Sequence, residues 1–365
     1  MRSTDGQYYA GLDHLRALAA FLVVLWHFSH HGNGGPVPYG GSPEIGLIDS
    51  GHCGVALFMV LSGYLFAKLI KDRRVDYGLF LYNRMLRLLP LLVVAMLLGF
   101  LSSLPQDRNE YLLNVVKGLV LPTMPRGGWS IVVEAHFYLL LPFLLRGSRK
   151  NLIVPLSIVG AAIGLRLLLL AIGADLQNLA YFSIIGRIDQ FVLGIVMYQR
   201  PVSRRAALIL FSGLWLFYVW FDANGGLNGA PPAVWVILPT IEALGFGALV
   251  SAYDRHPFKA RWLAPVEKSG KYSYSVYLLQ FLMVAPAADF VNRYITHIDN
   301  LYLALPWAVA FFAYMTALGW VSYTYIEEPF LRFRRPYFKA PDAFAPEPTG
   351  TVATQSSATP RTQSS

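Results

Sequence analysis

The chain has 365 residues, of which 55% are hydrophobic and only 14% charged, with a mean hydropathy of +0.45. A soluble domain carries about 25% charged residues, so this composition excludes an ordinary water-soluble fold and points to a membrane protein. Its one cysteine, Cys53, excludes an intramolecular disulfide and a paired-cysteine metal site, while the formal charge of +9 must be explained by where the cations sit.

The first apolar run covers residues 14–30 within GLDHLRALAAFLVVLWHFSHH, with Arg16 at its entrance and His27 eleven residues deeper. At about 1.5 Å of rise per helical residue the two side chains lie roughly 16 Å apart along the axis. With Arg16 at one surface of a bilayer core about 30 Å thick, His27 falls near the midplane. Asp13, His14 and Arg16 crowd the start of this run and no small-residue cleavage site follows it, so it is expected to be retained rather than removed as a signal peptide. Further runs of spanning length follow at residues 53–70, 86–104, 130–146, 152–172, 180–199, 206–222, 233–252, 272–292 and 302–326, which makes ten spans. The shorter run 111–122 reads as an interfacial or re-entrant helix. From about Ala340 the chain is rich in Pro, Ser, Thr and Gln. Residues 1–339 therefore form the membrane domain and residues 340–365 a disordered cytoplasmic tail.

The basic residues orient these spans. With the N-terminus in the cytoplasm, 23 of the 30 Lys and Arg fall on the inner side and four outside, while Arg16, Arg166 and Arg187 lie within spans. That asymmetry is the positive-inside pattern of an even number of spans with both termini cytoplasmic. It also accounts for the net charge without a nucleic-acid partner. The expected fold class is an all-α polytopic membrane protein of about ten transmembrane helices.

Several common sites are absent: there is no GxSxG elbow, HExxH pair, Walker loop, GxGxxG after a strand, or His-x4-Asp. What remains is a set of polar groups inside or beside the spans. His27 can take and return a proton near neutral pH, or simply hydrogen-bond a neighbouring helix. His30, His31 and His52 stand at the outer ends of the first two spans and read as wetted side chains rather than a metal site. Arg84 and Arg87, in NRMLRLLP, share one helix face at the expected start of the third span. There they can grip phosphate, helped by the helix N-terminus, or merely anchor the span. Glu134 lies a turn into the fourth span, in WSIVVEAHFYLLLP, where it can orient His27 or cap its helix. Arg166, Arg187, Asp189 and Glu242 lie deeper; Arg187 and Asp189 point to different helix faces, and buried ion pairs are the default for all four.

Five stretches in order resemble the integral-membrane acyltransferase family 3: GLDHLRALAAFLVVLWH with Arg16 and His27, VALFMVLSGYL at 55–65, Arg84-x-x-Arg87, WSIVVEAHFYLLLP at 129–142, and SYSVYLL at 273–279 followed by IEEP at 326–329. The resemblance implies an O-acyltransferase of the bacterial inner membrane that moves an acyl group, most often acetyl, from cytoplasmic acetyl-CoA to a hydroxyl of a cell-surface or exported glycan. It implies no tightly bound cofactor and no metal. It further implies Arg16, Arg84 and Arg87 at the acyl-CoA phosphates, and His27 and Glu134 as catalytic groups, with His27 either a general base or a transient acyl carrier. Asp13, Ser62, Tyr64, Trp129 and Tyr138 are the implied substrate-binding positions. Ala135, His136 and Gln280 depart from the family pattern, so no role is carried over to them, and the appended esterase-like domain of some members is not expected here. The competing class is a polytopic transporter or flippase for a lipid-linked sugar, which ten spans with buried charges would also fit.

Overall fold

The computed structural model describes residues 9–31, 45–71 and 73–338. The expected tail, residues 340–365, lies outside the described residues. Regular structure among those described is helical, and the sole β contact is an isolated antiparallel bridge between Val75 and Phe338.

In chain order the helices are α1 (Ala10–His31), α2 (Gly46–Asp49), α3 (Gly54–Ile70), α4 (Tyr77–Ser102), α5 (Arg108–Lys117), α6 (Gly128–Lys150), α7 (Ile153–Ala171) and α8 (Leu176–Phe182). There follow α9 (Ile184–Gln199), α10 (Arg204–Ala223), α11 (Gly226–Gly229), α12 (Val234–Arg255), α13 (Ala264–Lys271), α14 (Ser273–Tyr294), α15 (Leu301–Ser322) and α16 (Glu328–Leu331). Nine of the described helical segments are long and apolar enough to cross a membrane, and a tenth crossing arises if α8 and α9 count as one span bent by 44°. This is the polytopic all-α architecture that the apolar runs foretell, and the chain is a multi-pass membrane protein. The bend falls at Ser183, whose hydroxyl accepts from the Gly186 N–H at 3.3 Å and restarts the helix as α9.

Two expectations are refined. α5 does form as a short separate helix with no buried residue, as an interfacial segment should. The third span, however, begins not at residue 86 but at Tyr77, where the Asp76 carboxylate accepts from the Leu79 N–H at 3.1 Å. Asn83, Arg84 and Arg87 interrupt the apolar run and separate these first turns from it in a hydropathy reading. Arg84 and Arg87 thus stand two to three turns inside α4, beyond the reach of its N-terminal N–H groups, and the helix end does not add to their grip.

The helices form an inner group and a lipid-facing ring. In α1 and α12 72% of the spanning window is buried, whereas in α7 and α10 only 22% is. α1 packs against α3, α13, α14 and α15 and so occupies the middle of the bundle. α3 and α9 approach most closely, because a Cβ on Gly63 would strike the Phe191 carbonyl and one on Gly194 the Val60 carbonyl. Small residues bring membrane helices together in this way where no hydrophobic force between them is available.

Candidate active site

A cavity opens at the start of α1 and runs inward between α3, α4, α6 and α14. Its outer part is cationic. Arg16, Arg84 and Arg87 all line it, so the arginine of the first span shares one space with a pair 68 and 71 positions further along the chain. Lys271, at the end of α13, and Arg334, just past α16, line it as well. Sequence reading missed both, since neither sits in a motif and only the fold brings them here.

The carboxylates around this cavity are fewer and already committed. Asp13 pairs with Arg16 at 2.8 Å. Arg87 lies 2.9 Å from Glu327, a fully buried carboxylate that also accepts from the Ser275 hydroxyl. Three motifs therefore meet at one point: Arg87 of NRMLRLLP, Ser275 of SYSVYLL and Glu327 of IEEP. The backbone of Tyr323–Glu327 is a π-helical turn, a local widening that inserts Glu327 towards α4 and α14. Among the described residues neither Arg84 nor Arg334 has a carboxylate within ion-pair distance. Burial and the neighbouring guanidiniums of Arg84 and Arg87 push Arg334 down to about 10, still cationic at neutral pH.

Deeper in, the lining becomes mixed. Glu134 accepts hydrogen bonds from Ser62 at 2.9 Å and from Tyr138 at 2.6 Å, and all three line the cavity. Its placement as a helix cap is not observed: α6 starts at Gly128, and Gly127 before it, at φ +72°, leaves the space that the Phe281 ring fills. Ser130 and Tyr277 close the inner end, the Ser130 hydroxyl donating to the Tyr277 oxygen at 2.8 Å.

His27 lies just past that inner end. Phe281 packs edge-on to it at 4.6 Å between centroids, and Phe281 meets Tyr277 of the cavity wall at 5.6 Å. The His27 Nδ1 is 2.7 Å from the Val23 carbonyl, which can only accept, so this nitrogen carries a proton, and the lone pair of the neutral ring would be on Nε2. In that tautomer Nε2 is the nitrogen through which the neutral ring can accept a proton. Asp13, Ser62 and Tyr138 thus share the cavity with Arg16, Arg84, Arg87 and Glu134, with His27 adjacent. Two expected substrate-binding residues do not join them. The Tyr64 hydroxyl donates to Asp254 at 2.9 Å, beside the Lys68–Asp254 ion pair at 2.6 Å. Trp129 packs on Tyr181 and Phe182, on the α8 side of α6.

Beyond His27 the buried charged side chains of α7, α9 and α12 are paired and dry. Arg166 binds Asp189 at 2.8 Å and Arg187 binds Glu242 at 3.3 Å, both between fully buried side chains, as default ion pairing foretells. His52 differs from expectation: it is 2% exposed, not wetted, because Trp26, Tyr181, Tyr218 and Phe221 fold around its ring. Gln280 is likewise fully buried, and neither of its amide atoms has a hydrogen-bond partner among the described residues.

No solved structure matches the chain. Among curated proteins, the O-acetyltransferase OatA of Staphylococcus aureus (strain NCTC 8325 / PS 47) is 25% identical over 406 residues, covering 95% of this chain and 60% of the relative. A putative O-acetyltransferase of Staphylococcus aureus (strain COL) is 23% identical over 380 residues, covering 89% of this chain and 57% of the relative. The chain spans about 60% of the length of the curated relatives it matches. Residues 9–324, from the mouth of the cavity to the π-helical turn, match the family model of the acyltransferase 3 domain, and the chain belongs to that family.

Proposed function

We propose that this protein is a membrane O-acyltransferase that takes an acetyl group from cytoplasmic acetyl-CoA and delivers it to a hydroxyl of a cell-surface or exported glycan. The observation that carries this reading is the cavity itself: five cationic side chains at one end, and His27 one aromatic layer beyond the other. CoA has phosphates at one end and a thioester at the tip of a narrow arm, which matches that polarity. The names of the relatives support acetyl as the group moved.

In this reading Arg16, Arg84 and Arg87 hold the donor phosphates through charge-assisted hydrogen bonds. Glu134, fixed by Ser62 and Tyr138, borders the arm where it approaches Phe281. The Nε2 of His27 removes the proton of the acceptor hydroxyl as its oxygen attacks the thioester carbonyl. The C–O bond forms, the C–S bond breaks, and the proton passes to the departing thiolate. Acceptance of the acetyl group by Nε2 before its transfer to the hydroxyl uses the same nitrogen and the same tautomer.

Transfer of labelled acetyl from acetyl-CoA, assayed in membranes containing the protein, tests the reading. His27→Ala should reduce it by at least about 10²-fold, the usual contribution of a general base. Full transfer by His27→Ala would overturn the mechanism, and movement of a lipid-linked sugar without acyl-CoA would replace the acyltransferase with a flippase.

A further inference from the structure

The chain leaves α16 as a strap, residues 332–338, that runs back across the start of α4 and carries Arg334 into the cavity. The strap is firmly built. The Asn83 amide, 1% exposed, donates to the Arg335 carbonyl at 2.7 Å, and its oxygen accepts from the Arg335 N–H at 3.1 Å. The Asp76 N–H donates to the Tyr337 carbonyl at 2.8 Å, and Val75 bridges Phe338. Tyr337 is 1% exposed with its ring 5.6 Å from that of Phe80, and the Arg73 guanidinium lies 3.7 Å over the Phe338 ring. Arg334 sits between α16 and these fastenings, its N–H donating to the Leu331 carbonyl at 3.3 Å, so its backbone is held beside α4.

Its side chain is held in an unfavourable place. Arg334 is half-buried and close to Arg84 and Arg87, with the Nε atoms of both Arg84 and Arg334 buried and lacking a hydrogen-bond partner. Arg87 has Glu327 to balance it, and Arg16 has Asp13, but among the described residues Arg84 and Arg334 have no carboxylate within ion-pair distance. Two uncompensated guanidiniums in a partly dry space cost free energy, and a bound dianion is the simplest group that returns it. Guanidinium forks match phosphate oxygens in geometry as well as charge.

We propose that Arg334, delivered by the C-terminal strap, forms with Arg84 a phosphate-binding cleft inside the cavity, with Asn83 as the positioning residue that sets the strap. The proposal rests on the acyl-CoA reading above and assigns the donor's phosphate to this pair. The strap thereby makes a segment beyond the acyltransferase domain boundary at residue 324 part of the donor site.

The test is equilibrium binding to the full-length protein in nanodiscs of neutral lipid, with CoA, dephospho-CoA, pantetheine and inorganic pyrophosphate as probes and thermal unfolding as the control. Arg334→Ala should weaken CoA and pyrophosphate binding about tenfold or more, as loss of a hydrogen bond to a charged group does, and leave pantetheine unchanged. Arg334→Lys should recover part of that loss by restoring the charge without the fork. Asn83→Ala should weaken CoA in the same direction and add little in the double variant with Arg334→Ala, the mark of one acting through the other. Dependence on Arg334 that persists with dephospho-CoA assigns the diphosphate to the cleft, and dependence that vanishes assigns the 3′-phosphate. Unaltered CoA and pyrophosphate binding by both Arg334→Ala and Arg334→Lys would overturn the cleft while leaving the acyl-CoA reading intact. A wild-type protein that binds pyrophosphate and not CoA would overturn the donor reading while the cleft stands.

Discussion

The bundle holds two collections of arginines that look alike in a list and differ in every physical respect. Arg166 and Arg187 are 1% and 2% exposed, and each faces a carboxylate, with Thr240, Gln190 and Tyr218 supplying the remaining hydrogen bonds. Arg84 and Arg334 line an open cavity, and among the described residues neither has a carboxylate within ion-pair distance. Fully paired charges in a dry interior tie α7, α9, α10 and α12 together and ask for nothing else. Under-paired charges at the edge of water are an appetite for an anion. Whether an arginine within a membrane domain is structural or functional is thus decided by what compensates it, not by its depth.

The largest expected effect comes from breaking the dry pairs. Arg187→Ala strands Glu242, and Glu242→Ala strands Arg187, each in a site with 2–3% side-chain exposure. Either should cost about 3–5 kcal/mol, because the partner is left as an uncompensated buried charge. Replacing both with apolar residues of similar volume, Arg187→Met with Glu242→Leu, should restore much of that loss. Thermal unfolding in detergent measures both results, and a double variant no better than the singles would show that the network does more than neutralise itself.

The same change made in the cavity should act differently. Arg84→Ala is expected to leave the unfolding temperature close to that of the wild type while raising the KM for acetyl-CoA about tenfold or more. The guanidinium it removes rests on the rings of Phe66 and Phe80, at 5.2 and 5.6 Å, contacts worth little beside an ion pair. A loss of stability in Arg84→Ala as large as that in Arg187→Ala would erase the distinction between the two collections.

Much of this was legible in the sequence wherever the information is local. The spacing of Arg16 and His27 on one helix, the i, i+3 pair Arg84 and Arg87, and the need of Arg187 and Asp189 for separate partners all follow from helical periodicity, and the structure places each as that periodicity requires. What failed was tertiary. Nothing near Arg334 or Lys271 announces that their backbones turn towards α1 and α4. Glu327 was visible as part of a motif, but its pairing with Arg87 joins positions 240 residues apart through a π-helical turn that no composition reveals. His52 was misjudged because the aromatic residues that bury it come from α1, α8 and α10, so its neighbours in sequence say nothing of its surroundings. The start of α4 was misplaced for a different reason: Asn83, Arg84 and Arg87 break the apolar run, while the helix capped by Asp76 continues through them.

A third kind of charge arrangement, two carboxyls facing one another, should act on stability alone and in steps of at most about 1.4 kcal/mol per pH unit. Asp49, on α2, is 7% exposed and lies beside Asp222 near the end of α10. Burial first, and then the charge of Asp222, push Asp49 from 3.8 up to about 8, so at neutral pH it is held as the acid and its O–H donates to the Asp222 carboxylate. The folded state therefore keeps a proton that the unfolded chain releases near pH 4. Between that value and about pH 8 stability falls as pH rises, and above about 8 the fall ceases because both states have lost the proton. One proton bounds the slope at about 1.4 kcal/mol per pH unit. Asp49→Asn retains a donor towards Asp222 and cannot ionise, so it should flatten this part of the unfolding-temperature profile while leaving acetyl transfer unaltered. A profile that kept its slope in Asp49→Asn would place the proton elsewhere, and would leave like-charge pairing out of the forces that hold α2 against α10.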